Sequence, residues 1–233
     1  MVEYKQSFVL SLGGSLFYPN GGGIDTQFLK DFNKFIRDQI SFHKRRFFIV
    51  VGGGAITRHY QSAAREVRGS IDDDDLDWLG IHSTRLNAHM IRVIFRDIAH
   101  SHVIKHYEII RKADEPVVVA AGWKPGWSTD YDAITLCQDY GIAVVINLTN
   151  VDQVFDKDPK KFPNAKPLVK ISWGKYRAMA GDKWVPGMNL PFDPIASKLA
   201  DELSVTVKIL NGRNFSNLKN ALDGKPFVGT TIS

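Results

Sequence analysis

The feature that most constrains this chain is a repeated junction in which a strand-length apolar run ends directly in glycine. Phe8–Leu12 runs into Gly13-Gly14-Ser15, and Phe47–Val51 into Gly52-Gly53-Gly54. Val117–Ala121 runs into Gly122 and the segment Trp123-Lys124-Pro125-Gly126-Trp127-Ser128-Thr129-Asp130. Two further runs of this kind, Ala143–Leu148 and Val205–Leu210, follow. Most are rich in valine and isoleucine and poor in charge, as expected of strands covered on both faces in a parallel sheet.

Between the runs lie stretches with helical spacing. Asp25–Ile40 places Phe28, Leu29, Phe32, Phe35 and Ile36 on one stripe, with Asp25 or Thr26 available as cap. Leu79–Ile98 carries a similar stripe, and Pro194–Leu203 and Phe215–Leu222 read as shorter helices. The acidic run Asp72–Asp75 reads as a solvated loop. Alternating strands and helices predict a three-layer α/β/α sandwich with a mainly parallel central sheet. With 233 residues, one large α/β domain or two closely joined lobes are both accommodated.

Composition narrows the class. No segment approaches the ~20 apolar residues that a membrane span needs, and the N-terminus reads as a first strand rather than a leader. The formal net charge is +5, but the basic residues are scattered, so a basic enzyme that binds polyanionic nucleotides explains the surplus without a nucleic-acid surface. The single cysteine, Cys137, has no activating partner nearby in sequence and reads as an inert thiol, consistent with a cytoplasmic, reducing setting.

Glycine at the carboxyl ends of strands lets backbone N–H groups approach an anion without an intervening Cβ, and a following helix N-terminus adds a favourable dipole. Three such clusters in equivalent places predict phosphate binding. Neither the P-loop pattern nor G-x-G-x-x-G is present, so the site is of another kind.

Taken in order, several segments resemble the amino acid kinase superfamily and, within it, its archaeal-type UMP kinase branch. They are Ser11–Leu16, Val51–Gly54 with Arg58, Asp77–Ile81 with Asn87, Pro125–Asp130, Thr149–Pro159, Phe192–Lys198 and the closing Gly229–Ile232. The resemblance implies an acceptor lobe over residues 1–145 that binds UMP and a lobe over 146–233 that binds ATP, with Mg²⁺ carried on the ATP. It implies that Gly52, Gly53, Gly54 and Arg58 hold the UMP phosphate, that Asp77 accepts from the ribose hydroxyls, and that Ser128 and Thr129 read the uracil and line the phosphate path. Asn150, Phe155 and Asp158 would form the ATP pocket, with Lys157 and Lys160 near its phosphates. Gly13 and Gly14 would face the transferred phosphoryl group, and Asp193 would orient catalytic groups. A homohexamer is the assembly implied.

Three positions depart from the pattern. Ser11 stands where many members have lysine, and Lys198, one helical turn past Asp193, is the candidate substitute cation. Gln153 replaces a glycine, and Trp123 and Trp127 replace smaller or different residues in the acceptor loop. These departures leave two other readings open: another small-molecule kinase of the superfamily, or a non-catalytic nucleotide-binding or oxyanion-storing relative.

Overall fold

A computed structural model describes residues 4–157, 159, 161–181 and 191–233. In its first half the elements are β1 (Gln6–Leu12), α1 (Thr26–His43), β2 (Arg45–Val51), α2 (Ala55–Arg68), α3 (Asp73–Ile94), β3 (Val117–Ala120) and α4 (Thr129–Tyr140). β4 (Val144–Thr149), β5 (Val154–Phe155), β6 (Pro167–Leu168), β7 (Lys170–Ile171) and α5 (Trp173–Ala180) come next. The described chain ends with α6 (Pro194–Glu202), β8 (Thr206–Asn211), α7 (Phe215–Leu222) and β9 (Thr230–Ile232).

The main sheet has the order β3-β2-β1-β4-β8-β9-β7, all parallel except the β8–β9 pair. β5 and β6 form a separate antiparallel ribbon. Each face of the sheet has its own core. One packs Val9, Phe48, Val118, Val145 and Val207 under α4, α5 and α6; the other packs Leu10, Phe47, Ile49, Ile146 and Leu210 under α1, α3 and α7. This is the expected three-layer sandwich, and the alternation of side chains along each central strand supplies both cores at once. The expected lobes are not separated by a linker: β1 and β4 are direct neighbours in register, with Leu12 opposite Leu148.

The five expected strands form close to their predicted bounds. The acidic run does not form a loop. Asp72 takes the N-cap position of α3, and Asp73, Asp74 and Asp75 fill its first turn, where the positive end of the helix dipole stabilises carboxylates. α3 therefore starts six residues earlier than its apolar stripe indicated, and Asp77 sits on the helix itself. Cys137 is buried in α4 with its thiol pushed up to about 12 by burial, which leaves it inert.

Candidate active site

The site grows from the carboxyl ends of β1 and β2. After Leu12 the chain cannot continue with an ordinary residue. A Cβ at Gly13 would fall 2.7 Å from the Leu148 carbonyl oxygen, to which the Gly13 amide itself donates at 2.9 Å. Gly14 then opens a 3-10 turn, Gly14–Leu16. On the neighbouring strand the Gly52 amide donates to Leu12 O at 2.9 Å, and Gly54 takes a positive φ of 73° at the mouth of α2. The two turns press together, since a Cβ on Gly14 would lie 2.6 Å from Gly54 Cα. Among the described residues the amides of Gly53 and Gly54 have no acceptor. Two unused N–H groups at a helix start form a seat for an anion.

Asn87, on the face of α3 that carries Gly80, Thr84 and Ile91 at helical spacing, fixes this turn from below. Its Nδ2 donates to Gly52 O at 3.0 Å and to Gly53 O at 2.9 Å. With both carbonyls tied down, the amides of the same turn face away from α3. Arg58, exposed in the first turns of α2, is held by Asn20 Oδ1, which accepts from its Nη2 at 2.6 Å. Asp77 Oδ2 accepts from the Gly126 amide at 2.9 Å, so one of its oxygens steadies the β3–α4 loop; burial raises its pKa.

Ser128 is the N-cap of α4, its Oγ accepting from the Tyr131 amide at 3.2 Å, and Thr129 is the first helical residue. One residue on, Asp130 joins three elements. Its Oδ1 accepts from Ser11 Oγ at 3.4 Å and its Oδ2 from the Asp193 amide at 3.1 Å. Burial, reinforced by the nearby Asp193 charge, lifts Asp130 to about 7. Asp193 caps α6, with Oδ1 accepting from the Ala196 amide at 2.7 Å and Pro194 at the first helical position. Burial raises Asp193 as well, while the amides of Ala196 and Ile195 and the Ser128 side chain act against it.

The structure thus gathers Gly13, Gly14, Gly52, Gly53 and Gly54 at one point, with Ser128, Asp130 and Asp193 grouped beside Ser11. Arg58, Asp77 and Thr129 sit on α2, α3 and α4. Asn150 is exposed just past β4, and Phe155 is half-buried in β5. Asp158 and Lys160 lie outside the described residues. Lys198 is exposed on α6 and has no hydrogen bond or ion pair among the described residues. Its neighbour Ser197 donates its hydroxyl back to Asp193 O at 2.6 Å. Three contributors carry no role from the sequence: Asn87, Asp130 and Asn20. For Asn87 the signal was present as a polar residue on the buried face of α3. For Asn20, distant from Arg58 in sequence, none was.

An α/β sandwich whose strand-end glycine turns meet to form an anion seat defines a phosphate-handling protein, and the comparison with known families is specific. The amino acid kinase family matches residues 6–211, and the chain belongs to that family. Several full-length relatives are uridylate kinases. It is 34% identical to the uridylate kinase of Methanospirillum hungatei over 97% of this chain and 94% of that one. To the uridylate kinase of Thermoplasma volcanium it is 33% identical over 98% of both. The crystal structure of uridylate kinase from Archaeoglobus fulgidus superimposes with a TM-score of 0.80 at 30% identity, covering 97% of this chain and 99% of that one.

Proposed function

We propose that the chain transfers the γ-phosphoryl group of ATP to UMP, giving ADP and UDP. The observation that carries this reading is the meeting of the Gly13-Gly14 and Gly52–Gly54 turns, which sets two phosphate seats side by side. The full-length likeness to uridylate kinases supports UMP as the acceptor. In this reading Gly52, Gly53, Gly54 and Arg58 hold the UMP phosphate, the guanidinium matching two oxygens with its planar fork. Asp77 takes the ribose hydroxyls with the oxygen left free by Gly126, and Ser128 and Thr129 face the base and the phosphate path. Asn150, Phe155 and Asp158 belong to the ATP side.

Phosphoryl transfer asks mainly for in-line placement and for donors around a loose transition state. The attacking UMP phosphate is already an anion, so no general base is needed. Gly13 and Gly14 face the transferred group: the Gly14 amide is the backbone donor, and Gly13, whose own amide is taken by Leu148 O, adds no side chain in its way. Asp193 and Asp130 fix the start of α6 and the end of β1. Lys198, without a partner among the described residues, is the cation proposed to reach the phosphates. Mg²⁺ enters with ATP and neutralises phosphate charge, with phosphate oxygens and water as ligands. The same reading places the enzyme in the cytoplasm as a homo-oligomer, a hexamer by family resemblance, with neither nucleic acid nor membrane as partner. No described helix is long and apolar enough to cross a membrane.

A coupled assay of ADP release with UMP, CMP and dUMP as acceptors tests it, and the highest kcat/KM is expected for UMP. Inert UMP together with phosphorylation of a non-nucleotide acceptor would overturn the reading. Calorimetric binding of ATP and UMP without ADP release would favour a non-catalytic relative, for which the absence of a lysine at Ser11 is the motive.

A further inference from the structure

Asp132, in the first turn of α4, is fully buried, and neither carboxyl oxygen has a hydrogen-bond partner among the described residues. A buried carboxyl in that condition is costly and calls for a reason. The groups that face it come from every element around it. α3 contributes Arg85, the segment between α3 and β3 contributes Tyr107, and α4 itself contributes Asp130 and Tyr131. From the β3–α4 loop the Trp123 amide faces it, short of bonding geometry but favouring its charged form.

These neighbours share one attachment. Tyr107 OH donates to Ala121 O at 3.0 Å. Arg85 Nε donates to Gly122 O at 3.2 Å, and its Nη2 to Trp123 O at 2.7 Å. The Gly122 amide donates to Thr84 Oγ1 at 2.9 Å. The Gly122–Trp123 peptide therefore has Arg85 on its carbonyl and Asp132 on the side of its amide. From Trp123 the contact passes along the loop: its ring lies 4.7 Å from that of Trp127, which lies 4.1 Å from Tyr131. Lys124 Nζ sits 4.0 Å and 4.9 Å from the two indole centroids. The loop so braced ends at Ser128 and Thr129.

We propose that Asp132 and Arg85 clamp the Gly122–Trp123 peptide between them, making Asp132 a positioning residue that sets how tightly the acceptor is held. The inference rests on reading this loop as the acceptor side. Burial of Asp132 favours its protonated form, against the pull of the Trp123 amide and Arg85. When it ionises, a buried anion competes with Gly122 O and Trp123 O for the guanidinium, and the loop loosens.

The test uses the full chain with Asp132→Asn, an isostere of the neutral acid, and Asp132→Ala. Intrinsic tryptophan emission is followed across the pH range in which the fold persists, without nucleotide, and KM and kcat for UMP over the same range. In the parent protein, emission and the acceptor KM should shift together as pH rises. In Asp132→Asn that shift of both should vanish. Asp132→Ala should raise KM about fivefold or more with kcat within about twofold, and Asn should recover most of that loss. The proposal is overturned if Asp132→Asn titrates in emission as the parent does, or if Asp132→Ala lowers kcat and leaves KM alone. Should Asp132→Ala fail to fold, the Asn titration decides. The emission arm needs no substrate, so an inert UMP would refute the acceptor reading without touching the clamp.

Discussion

Gly14 and Gly54 stand back to back across the two strand-end turns. A Cβ on Gly14 would lie 2.6 Å from Gly54 Cα and 2.7 Å from Gly52 O, and one on Gly54 would lie 2.7 Å from Gly14 O. Backbone meets backbone here, so no flexible side chain can give way. Gly14→Ala is expected to lower stability by about 1–3 kcal/mol, as overpacking does, and to reduce kcat far more than it reduces stability. Thermal unfolding alongside turnover checks this; a variant with parental kcat would show that the two turns need not touch.

Asn87 ties two carbonyls of the Gly52–Gly54 turn with one amide group. Asn87→Ala removes both bonds and leaves the carbonyls without that donor. At about 1 kcal/mol per bond, a rise in acceptor KM of up to roughly thirtyfold is expected, with a smaller change in the ATP KM. Initial-rate kinetics with each substrate varied in turn would reveal it, and equal effects on both substrates would contradict a role confined to the acceptor turn.

Asp130 holds its proton to about pH 7 in the folded chain, whereas an unfolded aspartate releases it near ~3.9. Between those values the native state binds the extra proton. Its contribution therefore favours folding at the acid end and is lost as pH climbs to about 7. Asp193, also raised, acts in the same direction. Asp130→Asn should flatten the fall in melting temperature across this window. An unchanged slope would mean that the carboxyl is ionised throughout.

Lys198 has an exposed side chain and no partner among the described residues, so its substitution should cost little stability. If its ammonium serves the transferred phosphoryl group, Lys198→Ala lowers kcat by about tenfold or more at unchanged melting temperature. Parental turnover would remove it from the site and leave backbone donors and Mg²⁺ as the sources of positive potential.

The strands were legible because the central ones are apolar on both faces, so no polar alternation blurs them. Helix α2 went unnoticed for the opposite reason: only Ala55 is buried along it, and the rest of its surface is polar or exposed. The start of α3 was misread because four aspartates look like solvent-loving loop until the helix dipole is counted. At the site, the glycines announced themselves by position, and Arg58 and Asp77 by resemblance. Asp132 did not, since a carboxylate in a helical stretch gives no sign in sequence of being wholly buried. Its environment is assembled from α3, the β3–α4 loop and the Tyr107 segment, contacts set by tertiary packing alone.

The ladder that joins β1 to β4, from Val9 opposite Val145 to Leu12 opposite Leu148, runs through the middle of the sheet. Shearing one side of the sheet against the other would break main-chain bonds there. The scaffold is thus mechanically stiff at its centre. Compliance must come from the loops at the strand ends, and viscosity or temperature effects on turnover should report loop motion rather than swings of whole lobes.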